Sequence, residues 1–190
     1  SGDLIITSYQ NVPLAEINGF EIEYEQVFEA IMDSPNDLLV KFNYTETESE
    51  VIVNPGDTYI NSIGTVVDAQ NLLANGRDTR LQGQSDTIAN FQIGLDNLQN
   101  QTQATLIVNY VSDRVRARGI DVLPDIIEEP PLLVDFAFSK IYSYPAFDLK
   151  LSLELRNLLD EEYYASMRNI AIYDQYDLGT SASLGFKVSF

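Results

Sequence analysis

Apolar and polar residues alternate with period two along most of this chain, a pattern that predicts β-strands rather than helices. The clearest stretch runs from Phe147 to Leu155. Phe147, Leu149, Leu151, Leu153 and Leu155 take one side, and Asp148, Lys150, Ser152 and Glu154 take the other. The last residues repeat it, with Leu184, Phe186, Val188 and Phe190 set against Ser183, Gly185, Lys187 and Ser189. Upstream, Val134, Phe136 and Phe138 alternate with Asp135, Ala137 and Ser139, and Ala89, Phe91, Ile93 and Leu95 with Asn90, Gln92, Gly94 and Asp96. Phe20, Ile22 and Tyr24 alternate with Glu21, Glu23 and Glu25, and Val40, Phe42 and Tyr44 with Lys41, Asn43 and Thr45. Leu106, Val108 and Tyr110 face away from Thr105, Ile107 and Asn109, where the isoleucine is out of pattern. Strands buried on both faces would read as unbroken apolar runs. Each of these segments therefore has one apolar and one polar side.

The expected fold is all-β and antiparallel, with about seven or eight strands of roughly 10–15 residues, long beside the ~5–6 of ordinary strands. Twelve residues at ~3.3 Å each, tilted about 45°, rise ~28 Å, close to the apolar band of an outer-membrane barrel. The links alternate in length. Ala30–Asp37, Gln99–Gln101 and Ser143–Pro145 are short, whereas Asn54 to about Gln84, Arg116–Glu129 and Asp160–Gly179 are long. Counted back from Phe190, every short link falls at one end of the strands and every long one at the other, as in membrane barrels with periplasmic turns and extracellular loops. Phe190 then belongs to the periplasmic end. Tyr142, Tyr144 and Phe190 are expected in an aromatic girdle there, and Tyr163 and Tyr164 where a strand leaves the apolar band.

Composition narrows the chemistry. The 11 Lys and Arg against 29 Asp and Glu give a net charge of -18, which argues against nucleic-acid binding and against electrostatic attachment to anionic lipid. Without Cys or His, disulfides, thiolate metal sites and imidazole catalysis fall away. No GxSxG or SxxK motif is present, so no catalytic residue and no cofactor are expected. No apolar run approaches the ~18 residues of a membrane helix. The sequence opens on Ser-Gly-Asp with neither Met nor a signal peptide, and a processed chain or a piece of a larger one is expected.

Candidate site residues are mostly acids. Glu21, Glu23, Glu25, Asp96, Asp135, Asp148 and Glu154 lie on the polar side. They line a path for a cationic or metal-bound substrate, or they satisfy whatever fills the barrel, with Lys41, Lys150, Arg156 and Lys187 as balance; the second is preferred because buried charges need partners. In the long links, Asp57, Asp68, Asp78, Glu128, Glu129, Asp160, Glu161, Glu162, Asp174 and Asp177 offer oxygen ligands suited to calcium. Asp174 and Asp177 are the metal candidates, as half a site without EF-hand spacing. Arg114, Arg116 and Arg118 alternate at the outer end of a strand. Lipopolysaccharide phosphate, an anionic ligand and the acidic links are equally open as their partners.

With these residues in view, the chain resembles the C-terminal part of the barrel of a TonB-dependent outer-membrane receptor. Asn157-Leu158-Leu159-Asp160-Glu161-Glu162-Tyr163 resembles the family's NLxDxxY signature, and Asn18-Gly19-Phe20-Glu21-Ile22-Glu23 its xGxExE strand. Leu81-Gln82-Gly83-Gln84-Ser85 through Asn90-Phe91 resembles the start of a strand after a long loop, and Leu184, Phe186, Val188 and Phe190 match its C-terminal assembly signal. The resemblance implies a barrel of about 22 strands plugged by an N-terminal domain. Of this the 190 residues would supply about the last third. It further implies that a second polypeptide or an upstream segment supplies the plug and the earlier strands. The TonB protein would act through that plug, with outer-membrane lipid and lipopolysaccharide outside. The expected function is active import of a scarce metal chelate, metal ion or carbohydrate. A passive porin-like channel and a soluble β-sandwich binding module are the rivals.

Overall fold

The computed structural model describes residues 14–31, 35–61, 63–72, 78–119, 123–168 and 170–190. Thirteen strands lie in these segments: β1 (Leu14–Phe28), β2 (Asn36–Ile52), β3 (Thr58–Ile60), β4 (Val66–Asp68), β5 (Thr87–Asn97), β6 (Thr102–Val111), β7 (Arg114–Ala117), β8 (Ile126–Glu129), β9 (Leu133–Tyr144), β10 (Phe147–Arg156), β11 (Glu162–Met167), β12 (Ala171–Asp177) and β13 (Ser181–Ser189). No α-helix occurs among the described residues. The seven strands expected from alternation are the long ones, and they form a single antiparallel meander in the order β1-β2-β5-β6-β9-β10-β13.

Register turns the alternation into two continuous faces, because directly opposed residues point the same way. Phe28, Leu38, Leu95, Ala104, Phe138, Leu153 and Leu184 form one apolar row across all seven strands. One position along, Asp37, Asp96, Gln103, Ser139, Ser152 and Gly185 form a polar row on the reverse face. A slip of a single residue would exchange the two faces, so the pattern itself holds the register. Gly19 sits opposite Thr47, and a Cβ there would run into the carbonyl of Glu46, which is a packing reason for a glycine in that strand.

Among the described residues, neither face carries a core. Leu184 is 64% exposed, Phe186 68%, and Phe20 and Ile22 more than half. Among the described residues, no strand pairs with the outer edge of β1 or β13. Burying a Phe or Leu side chain stabilises by about 1.5–3 kcal/mol, so in water this apolar face would forgo that gain row after row. The buried apolar residues, Val51, Tyr59, Ala69, Val115 and Ala165, belong instead to the long links and the strand ends beside them.

Link lengths separate as expected. The links between β1 and β2, β5 and β6, and β9 and β10 are short, and those between β2 and β5, β6 and β9, and β10 and β13 are long. Ser189 opposes Asp148, so the end of β13 lies beside the β9–β10 turn. There the Tyr144 and Phe147 rings are 4.9 Å apart and those of Phe147 and Phe190 6.4 Å apart. The long links carry structure that the alternation did not announce. A second sheet runs β12-β11-β8-β7, and β3 and β4 form a hairpin that leads into a 3-10 turn at Ala69–Leu72. Tyr163 and Tyr164 lie in β11, inside that second sheet, rather than where a long strand leaves the apolar band. Tandem tyrosines favour strands in general, and here the strand is a short one in a link.

Candidate functional site

The best-organised part of the chain is the long-link end, where arginines tie separate links together. Arg80 donates to Asp78 at 2.6 Å, to Asp86 at 3.1 Å and to Asp113 at 2.9 Å. It thereby joins the β2–β5 link to the end of β6. Burial pushes the Asp78 carboxyl up, but its hydrogen bonds from Arg80 outweigh this and hold it below the ordinary range. Arg118 donates to the carbonyls of Asp78 and Arg80 and pairs with the buried Asp125 at 3.3 Å. Asp125 also accepts the Gly119 amide at 2.9 Å, so one carboxylate fixes the backbone on the far side of β7. A Cβ at Gly119 would strike the carbonyls of Leu123 and Pro124.

Arg114 and Arg116 complete the series. Arg114 donates to Glu128 across β7 and β8 at 2.7 Å, and that hydrogen bond holds the Glu128 carboxyl below its ordinary 4.5. Arg116 donates to Asp174 at 3.0 Å and to the Tyr163 hydroxyl at 2.8 Å. Its guanidinium lies 5.7 Å from the Tyr163 ring centre and 5.4 Å from that of Tyr173. Tyr163 stacks in turn on Tyr176, at 4.6 Å and 17°. Of the partners left open for the three arginines, the acidic links are the ones each engages here.

The segment Asn157–Tyr163 is a tie between the last two long strands. Asn157 is 6% exposed with a left-handed φ of 52°, a conformation Asn tolerates better than most residues. Its side-chain amide donates to the carbonyls of Glu161 at 3.0 Å and Gly179 at 3.2 Å and accepts the Glu161 amide at 3.0 Å. Its own carbonyl accepts the Thr180 hydroxyl at 2.8 Å and the Asp160 amide at 3.0 Å, and Leu158 N donates to the Val134 carbonyl at 2.8 Å. The end of β10, the turn after it and the start of β13 are thus pinned through one side chain. Asp160, also left-handed at 55°, is a turn residue in this arrangement.

The polar-face acids are largely engaged by neighbours. Glu21 accepts from Asn43 at 2.6 Å, Glu25 pairs with Lys41 at 3.0 Å and Glu154 with Arg156 at 3.0 Å. Asp96 accepts from Gln103 at 3.1 Å, and Asp135 accepts the Asn157 amide at 2.9 Å. Glu23 lines a concave patch of mixed character with Lys41, Asn43, Gln92, Phe91 and Ile107. The two metal candidates do not converge: three residues apart on a regular strand, Asp174 and Asp177 point to opposite faces, and Asp174 is taken by Arg116. Among the described residues, no three carboxylates are grouped to hold a metal ion. Nothing in the local sequence pattern marks Arg80 or Asp125; for Tyr173, tyrosines within the Asp-rich stretch that holds Asp174-Gln175-Tyr176-Asp177 are the available signal.

The depressed Glu128 and Asp78 carboxyls give a pH dependence of definite sign. Groups whose folded pKa lies below the unfolded value add stability that is complete above about pH 4.5 and is lost as pH falls through the folded values. Hydrogen exchange of the β7 and β8 amides is therefore expected to be flat from pH 8 to 5, after correction for intrinsic rates, and to accelerate below about pH 4.5. The mid-strand amides of β5 and β6 should remain protected. No known protein family matches the chain, and no curated protein or solved structure matches it either.

Proposed function

We propose that this chain is a segment of the wall of an outer-membrane β-barrel, and that the barrel is a TonB-dependent transporter importing a scarce substrate. The observation that carries this reading is the uncovered apolar row from Phe28 to Leu184, backed by a polar row on the other face of the same sheet. Hydrocarbon on one side and a wet lumen on the other satisfy both rows at once. The aromatic cluster of Tyr144, Phe147 and Phe190 at the short-turn end suits the periplasmic interface. A soluble sandwich would require a second sheet over the apolar face, and among the described residues none covers it.

Strand direction constrains what completes the wall. Seven alternating strands leave β1 and β13 running the same way. A second copy in the same membrane orientation would set its β1 beside this β13 as a parallel seam, whereas membrane barrels of this type are antiparallel throughout. The remaining wall is therefore an odd number of strands from a different segment, in the same polypeptide or another. Closure removes the open edges, each unpaired backbone group of which costs several kcal/mol in lipid. That segment also supplies the plug and the contact with TonB. The porin-like alternative shares the wall and lacks the energy coupling; the Asn157–Tyr163 signature is what favours the transporter.

The full-length protein is expected in the outer-membrane fraction, soluble only with detergent, with a compact gel mobility that boiling abolishes. Uptake of its substrate should stop when a protonophore collapses the proton gradient. Recovery as a soluble, monodisperse protein without detergent would contradict the barrel, and uptake that survives the protonophore would favour the porin.

A further inference from the structure

We propose that the tyrosine–arginine cluster on the β11–β12 hairpin is a capture site for an uncharged, hydroxyl-rich ring, that is, a saccharide. This inference rests on the transporter reading and names its substrate class. Tyr163 opposes Tyr176 and Ala165 opposes Asp174, so both rings and the carboxylate share one face of the hairpin. Tyr163 is held by its stack on Tyr176 and by the Arg116 hydrogen bond, and Arg116 is held by Asp174. The platform is therefore set before any ligand arrives, which lowers the ordering cost of binding. Yet Tyr173 remains 47% and Tyr176 49% exposed, with Ile172 and Leu178 exposed beside them. Flat apolar rings on a fixed hairpin, edged by a carboxylate, a guanidinium and phenol hydroxyls, suit a ligand with C–H groups on one face and hydroxyls round its rim.

Charge decides between ligand classes. Asp174 already balances Arg116, and Glu162 and Asp177, opposed on the same hairpin, add negative charge to a chain of net charge -18. An anionic chelate meets repulsion here. A cation drawn to the aromatic rings meets the fixed positive charge of Arg116, which already lies against Tyr163 and Tyr173. A neutral ring meets neither obstacle.

The test uses the full-length protein in detergent, with a printed array of neutral oligosaccharides and a ferric tris-catecholate chelate as the anionic probe. Neutral saccharides should bind. Tyr173→Ala and Tyr176→Ala should each weaken binding roughly tenfold, the loss expected for one ring–ligand stack, while Tyr176→Phe should retain it and the chelate should not bind. Unchanged boil-sensitive mobility of the variants establishes that they are folded. No binding to any neutral saccharide, or binding that Tyr176→Ala leaves unchanged, overturns the proposal. An outer-membrane protein that takes only the chelate sinks this inference and spares the transporter; a soluble protein that binds saccharides does the reverse.

Discussion

Leu153→Arg is expected to abolish stable insertion, whereas Ser152→Arg, one residue earlier, should leave the protein folded in the outer membrane. Leu153 lies between Phe138 and Leu184 in the apolar row that crosses the whole sheet. An arginine facing lipid near mid-bilayer costs about 2–4 kcal/mol. That is a large part of the ~5–15 kcal/mol by which a protein of ordinary stability exceeds its unfolded state. Ser152 faces the other way, opposite Ser139 and Gly185 on the polar row, where an arginine would avoid hydrocarbon and glycine leaves it room. Boil-sensitive mobility in membrane fractions, followed by urea unfolding in lipid vesicles, measures both variants. Equal tolerance at the two positions would mean that the apolar row does not face hydrocarbon.

Asn157→Ala should cost about 3–4 kcal/mol. Two donated hydrogen bonds and one accepted are lost, each worth about 1 kcal/mol net. Alanine must also hold the left-handed φ that Asn157 adopts at 52°, at about 1 kcal/mol more. Asn157→Gly relieves the backbone and not the hydrogen bonds, so it should recover roughly 1 kcal/mol of the loss. The damage should be local: faster hydrogen exchange across 157–180 and loosened pairing where Leu155 meets Ala182, with β2 and β5 unaffected. Urea midpoints of the two variants in vesicles give the ordering. Equal stability of wild type and Asn157→Ala would remove the tie from the account of this signature.

The seven long strands were legible because each must satisfy two different surroundings, and that demand writes period two into the residues themselves. Phe147–Leu155 carries it without a break and is β10 almost to the residue. The parity of link lengths was legible for a related reason: turns and long links differ in residue count, whatever they contain. The second sheet was not. Its strands run from four to seven residues, and register shifts at Val115/Ala117 and Ala165/Ser166 break the alternation that would mark them. Nor was Arg80 readable as a hub, since Asp113 reaches it across 33 positions through folding alone. Asn157 stood out as part of a signature, but only the left-handed turn and its partners Glu161 and Gly179 explain why an asparagine serves there.

Nitroxide scanning of Phe147–Arg156 in lipid vesicles tests the two-faced wall most directly, and none of these 190 residues is a cysteine that would compete for the label. Labels at positions 149, 151, 153 and 155 should meet lipid-dissolved oxygen freely and a water-soluble nickel chelate hardly at all. Labels at positions 148, 150, 152 and 154 should meet the chelate more than the oxygen, giving two period-two waves out of phase. Low accessibility to both probes at the four leucine positions would place that face in a packed protein core, and the membrane wall would be contradicted.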